Sequence, residues 1–225
     1  AAAAYGPNTV GEAGKVYFAK SFQRGEPVFR VGTEPPYYPS VHGALFHVVV
    51  GTLGRWTDAS PQSLYYIGRA ISIGATIVTL ILVAAILRRF QIGAFWMVML
   101  CIVFFAVRPV VGHAVSFRPD HWVLALSAFT CYLLLVGGNR WWVLGLASIT
   151  PTLAFFMKAT GLAILLATGL ALILTRRWGR AFLYIAVSLS ILLATITITN
   201  VASGGVFLAA LRTGVKVPFS YDLVL

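Results

Sequence analysis

The chain has 225 residues, 59% of them hydrophobic, with 17 Lys+Arg against 6 Asp+Glu. Charged residues make up only 10%, where soluble domains carry about 25%, and the mean hydropathy is +0.87, so a water-soluble globule is not the expected class. The net charge of +11 does not point to nucleic acid, because the basic residues sit at the ends of apolar runs instead of gathering on one polar face; anionic lipid heads are the expected counter-charge.

Residues 1–40 are the most polar part, hold three of the six acids and contain nothing long enough to span a bilayer. The run Thr9-Val10-Gly11-Glu12 has the form of a capping box, and Ala13, Val16, Tyr17, Ala19 and Phe22 then fit a short amphipathic helix ending near Arg24-Gly25. A Pro-rich turn follows at 34–39, where helix is excluded. Residues 41–56 read as a second short apolar helix, interrupted by Gly43, Gly51 and Gly54 and carrying His42 and His47.

Ser60-Pro61 is an N-cap and first-turn pair, and the apolar run 64–87 behind it stops at Arg88-Arg89. At the standard rise its length is about 36 Å, enough to cross with some tilt. Further expected spans are 91–107, 121–137, 141–157, 159–175 and 181–200, which gives six, with Pro151 a point of bending in the fourth. Cys101 and Cys131 fall inside apolar runs and are expected to be small buried hydrophobes, not a disulfide or metal site.

Short cytoplasmic loops collect Lys and Arg. Alternate turns carry Arg88-Arg89, Arg140, and Arg176, Arg177 and Arg180, without an acid, so these are expected inside. If residues 41–56 lie along the interface, all six acids, Glu12, Glu26, Glu34, Asp58, Asp120 and Asp222, share the opposite side. The expected fold is therefore an all-α polytopic membrane helix bundle: an extracytoplasmic first loop with short juxtamembrane helices over 1–60, six transmembrane helices over 61–200, and a further extracytoplasmic segment over 201–225. The chain opens on four alanines without an initiator Met and is expected to belong to a longer membrane protein.

This topology gathers Glu12, Glu34, Asp120, His42, His113, His121, Arg69, Arg108, Arg118 and Lys158 at one membrane face. Ionisable groups at that depth mark substrate paths or lipid-head sites, with snorkelling as the inexpensive alternative. Each residue has a plainer job as well. Glu12 is the third residue of a capping box, Asp120 precedes a span and fits an N-cap, and Glu34 fits a solvated turn. Arg69 and Lys158 are candidates for lipid phosphate, while Arg118 and Arg108 fit interfacial anchors. The histidines with an acid are candidates for a divalent metal, although their spacing matches no tight ligand motif.

Taken in order, Gly11-Glu12-Ala13 before an amphipathic helix, Pro35-Pro36-Tyr37-Tyr38-Pro39 before a short apolar one, Gly68-Arg69-Ala70-Ile71-Ser72 opening a span that ends in Arg-Arg, Phe117-Arg118-Pro119-Asp120 at a span start and Phe156-Met157-Lys158-Ala159-Thr160-Gly161 at a hairpin resemble the multi-spanning GT-C glycosyltransferases, in particular the protein mannosyltransferase, aminoarabinose transferase and related bacterial branches. The resemblance covers nearly the whole chain. It implies sugar transfer from a polyprenyl-phosphate carrier to an acceptor lipid, glycan or protein on the outer face of a bacterial inner membrane. It also implies an essential acid in the first outer loop, at the position of Glu12; Gly11 stands where a second acid is frequent, and the span that precedes this loop in the family lies outside the sequence. The implied roles are Glu12 and Asp120 as catalytic acids, Arg69, Lys158 and Arg118 on the donor phosphate, and Glu34, His42 and His113 at an acceptor or metal site. The chemistry is coherent, since a carboxylate can take the acceptor's proton while the departing phosphate, already an anion, needs cations more than a general acid. A secondary transporter, which would call for internal repeats, and a non-catalytic membrane subunit are the competing readings.

Overall fold

A computed structural model of the chain describes residues 9–29, 44–106, 116–136 and 140–215. Every regular element among them is helical: α1 (Thr9–Gln23), α2 (Ala44–Trp56), α3 (Pro61–Arg89), α4 (Ala94–Ala106), α5 (Asp120–Val136), α6 (Trp141–Met157), a 3-10 turn (Ala159–Gly161), α7 (Leu162–Leu174), α8 (Trp178–Ala202) and α9 (Val206–Val215). Two of them, α3 and α8, are long and apolar enough to cross a membrane. The shorter apolar helices are α4 to α7, and α4 has only 13 residues.

Local chemistry sets the boundaries. Ser60 caps α3 by accepting the Ser63 N–H at 3.1 Å, with Pro61 in the first helical position. Helix α1 ends in a Schellman motif, in which the Glu26 N–H reaches the Ser21 carbonyl and the Gly25 N–H reaches that of Phe22. That closure needs left-handed backbone, and Gly25 supplies it with φ +82. Residues 159–161 enter their helix as a 3-10 turn after Lys158, whose extended backbone interrupts the run. Helix α9, within the stretch read from sequence only as a loop segment, is a further element.

The buried stripe of α1 differs from the apolar one expected. Ala13 and Tyr17 face outward, whereas Glu12, Lys15, Phe18, Ala19 and Ser21 are buried. The partners of Glu12 on other elements explain its burial, because a buried charge is tolerated where opposite charge and hydrogen bonds meet it.

Three apolar clusters hold the helices together. Leu133, Val143, Leu144, Ala147, Leu165, Leu172, Ala181 and Tyr184 join α5 to α8. Ala19, Phe46, Val50, Ala59, Leu64, Phe117 and Met157 pin α1 and α2 on the starts of α3 and α5 and the end of α6. Phe155, Leu192 and Phe207 fasten α9 to α6 and α8. Helix α3 packs most extensively on α5, and α4 touches the rest only lightly through α3. The antiparallel arrangement brings the start of α5 beside the end of α6 at one pole, which also carries α1, α2 and α9. Arg88, Arg89, Arg140, Arg176 and Arg177 follow from the other ends of the same helices.

Candidate functional site

At the pole carrying α1 and α2, four separate segments deliver charge to one place. Glu12 comes from the first turn of α1, where it is only 2% exposed. Its carboxylate reaches across the fold. One oxygen accepts the backbone N–H of Phe117, and the other accepts the Tyr65 hydroxyl at 3.1 Å and the Arg69 guanidinium at 3.3 Å. Arg69 also lies over the Tyr65 ring, 4.0 Å from its centroid. Glu12 thus ties α1 to α3 and to the turn before α5.

That turn is held from below. The Phe117 ring is fully buried against Phe46, in an edge-to-face pair with centroids 5.1 Å apart. It occupies the space above Gly68, where any Cβ would collide with it. Ser72, one turn along α3, donates to the Arg118 carbonyl at 3.0 Å. Arg118 and Asp120 are therefore placed by α3, and the His121 side chain is buried behind them, 1% exposed.

Asp120, the first residue of α5, pairs with the Lys158 ammonium from the end of α6. Both side chains keep about a quarter of their surface open, 26% and 28%, where Glu12 keeps 3%. Gly161 makes this pairing possible: the turn that presents Lys158 runs against the backbone of Ala154, and a Cβ at 161 would meet that backbone. Helix α6 could not otherwise stop at Met157 and hand Lys158 outward.

Sequence reasoning missed Lys15. It lies one turn after Glu12 on the same face and is 8% exposed. Among the described residues its ammonium has no hydrogen-bond or ion-pair partner. Burial pulls its pKa down to about 8, the positive charges of Arg118 and Lys158 pull the same way, and Asp120 and Glu12 oppose them. The signal was available as an i, i+3 pair with Glu12, but a lysine in an amphipathic helix ordinarily reads as solvated. Tyr65 and the Phe117 N–H were missed too, being 53 and 105 residues from Glu12 in the chain.

Of the residues expected from sequence, Glu12, Arg69, Arg118, Asp120 and Lys158 thus belong to one constellation, with His121 beside it. Glu34, His42, His113 and Arg108 lie outside the described residues. Among the described residues, no three His, Cys, Asp or Glu side chains come together as a metal site. The constellation counts four cations, Lys15, Arg69, Arg118 and Lys158, against the two carboxylates. Such an arrangement suits an anionic ligand, with a carboxylate at hand to accept a proton. No protein family, characterised protein or solved structure matches the chain.

Proposed function

We propose that the chain is a polytopic membrane glycosyltransferase that moves a sugar from a polyprenyl-phosphate carrier to an acceptor hydroxyl at the non-cytoplasmic face, with inversion at the anomeric carbon. The observation that carries this reading is the convergence of Lys15, Arg69, Arg118 and Lys158 with Glu12 and Asp120 at one end of an apolar helical bundle. In this reading α3 to α8 are the six spans, and α1, α2 and α9 lie at the outer surface. The low burial of the apolar windows of α3 and α8, 22% each, supports lipid as their surroundings, since the central helices of a soluble protein are mostly covered.

Of the two carboxylates, Asp120 is assigned the base role because its side chain keeps an open face. It accepts the proton of the acceptor hydroxyl as that oxygen attacks the anomeric carbon. The bond between that carbon and the phosphate oxygen breaks, and its electron pair leaves with the polyprenyl phosphate, whose charge the cations meet. Glu12, enclosed by three donors, holds Arg69 and the 116–118 turn in place. Proteoliposomes supplied with labelled polyprenyl-phosphate sugars test the proposal. Wild-type protein is expected to release label from the carrier in a time-dependent manner. Asp120→Asn, which keeps an oxygen for Lys158, should slow release by about a hundredfold or more. Absence of release from every donor by the wild type sinks the enzyme reading.

A non-catalytic membrane subunit has one observation in its favour: both acids are already ion-paired within the chain. It expects Asp120→Asn to change assembly with a partner and no transfer step.

A further inference from the structure

Helix α4 folds back on α3 through a tight turn in which the Gln91 and Ile92 N–H groups donate to the Arg88 and Leu87 carbonyls, with Gln91 left-handed at φ +58. Yet no residue of α4 from Ala94 to Val103 is buried. Cys101, expected from its apolar run to be buried, is only half-covered for that reason, and Cys131 on α5 is exposed. Between α3 and α4 runs a groove. Leu80, Ala84 and Leu87 line it from one face of α3, and Met97, Leu100 and Cys101, at i, i+3 and i+4, line it from α4. At the end away from the turn, Thr79 gives its hydroxyl back to the Ala75 carbonyl at 2.8 Å. Water or a sugar would find no partner in such a lining, whereas hydrocarbon needs none. The other end of the groove opens at charge. Leu80, Ala84 and Arg88 are successive members of one i, i+4 row on α3. A helical side chain leans back over the turn before it, so the Arg88 stem starts above Ala84, at the mouth of the groove. Arg88 and Arg89 are exposed, and the described acids, Glu12, Glu26, Asp58 and Asp120, all belong to the opposite pole.

We propose that the groove between α3 and α4 is the site of one anionic phospholipid of the cytoplasmic leaflet, with an acyl chain along Leu80, Ala84, Leu87, Met97 and Leu100 and the headgroup phosphate on Arg88. The inference rests on the spanning arrangement proposed above and not on the transfer chemistry. An apolar groove and an arginine at its mouth call for a ligand that carries hydrocarbon and an oxyanion in one molecule. A free phosphate would leave the groove unused, and a neutral chain would leave the arginine unused. A zwitterionic phospholipid brings a cation of its own to Arg88 and Arg89, whose positive charge no described acid offsets, so a net anionic headgroup is the complementary one. Guanidinium holds phosphate by charge-assisted, bidentate hydrogen bonds while its stem lies on apolar surface. The seated chain would also give α4 the packing that the helices themselves leave thin, fastening it to α3.

The full chain in neutral detergent, titrated with phosphatidylglycerol or phosphatidylcholine and weighed by native mass spectrometry, tests this. No charged bilayer is then present, and at about 0.15 M salt exposed charges are screened beyond about 8 Å, so an arginine elsewhere on the pole contributes little. The wild type is expected to retain one phosphatidylglycerol, held about tenfold more tightly than phosphatidylcholine. Arg88→Gln should weaken phosphatidylglycerol about tenfold and abolish the preference. Arg140→Gln makes the same charge change at the same pole and should bind as the wild type does. Ala84→Trp fills the groove with every charge kept and should lose both lipids. The proposal is overturned if the wild type holds no lipid, if the two lipids bind equally, or if Arg140→Gln costs as much as Arg88→Gln. Retention of phosphatidylglycerol by a well-folded Ala84→Trp also overturns it; if that variant does not fold, the two arginine variants decide. A lipid-free dimer would give the face of α4 to a second copy and overturn it as well. Absent sugar release with lipid retention intact would remove the transferase reading alone, and failure of the spanning arrangement would show separately in the sidedness of cysteine labelling.

Discussion

At Glu12, a residue with an ordinary local job in the sequence proves to be a tertiary tie. Gln satisfies the third position of a capping box as well as Glu does, so a merely local role makes Glu12→Gln harmless. In the structure, both carboxylate oxygens face donors: the Phe117 N–H on one side, the Tyr65 hydroxyl and Arg69 on the other. An amide places an NH2 group against at least one of them and leaves Arg69 without its counter-charge. Removing one partner of a buried ion pair costs about 3–5 kcal/mol, and since the Arg69 side chain is 35% exposed, a loss of about 2–3 kcal/mol is expected. Thermal unfolding of Glu12→Gln in detergent should show a clearly lowered midpoint, with Tyr65→Phe lowering it less. A midpoint equal to that of the wild type would return Glu12 to a cap.

Helices were legible in the sequence wherever boundary chemistry was local. Ser60-Pro61 announced α3, Gly25 announced the end of α1, and Trp141–Met157 is found where its apolar run lies. What the sequence could not convey depends on groups distant in the chain. The outward turn of Ala13 and Tyr17 follows from the partners of Glu12, Tyr65 and Arg69 on α3 and the Phe117 N–H before α5. The 3-10 turn at 159–161 follows from the backbone of Ala154 passing close to Gly161. The latter gives a paired test. Gly161→Ala must push Cβ into backbone, which cannot swing aside as a side chain can, and should cost about 1–3 kcal/mol or more while displacing Lys158 from Asp120. Gly145→Ala, mid-helix in α6 with open space at the same position, should be neutral or stabilising by about 0.5–1 kcal/mol. Equal effects of the two substitutions on the unfolding midpoint would mean that the turn does not depend on a bare Cα at 161.

For the molecule as a whole, the distribution of charge along antiparallel helices matters more than any single contact. Helices α3 and α5 start at the pole that bears Glu12, Lys15, Asp120 and Lys158, and α6 ends there. The end of α8 belongs to the same pole, because Phe207 just beyond it stacks on Phe156, 5.6 Å between centroids, and meets Phe29 at 4.9 Å. The opposite pole receives Arg88, Arg89, Arg140, Arg176, Arg177 and Arg180, interleaved with the exposed rings of Phe90, Trp141 and Trp178. Arginines at one end with an aromatic girdle are what a cytoplasmic membrane boundary selects, since Lys and Arg are retained inside and indoles settle at headgroup level. If the bundle spans a bilayer as proposed, the two poles lie on opposite sides of it. Single cysteines report this once Cys101 and Cys131 are replaced by Ser. Thr57→Cys and Ala202→Cys, exposed at the charged pole, should react with an impermeant maleimide from the outer side of intact cells. Arg140→Cys and Thr175→Cys, exposed at the arginine pole, should react only after the membrane is opened. Labelling of all four from the same side would contradict a spanning bundle, and a reversal of the two pairs would put the charged pole in the cytoplasm, where a donor displayed at the outer face could not reach it.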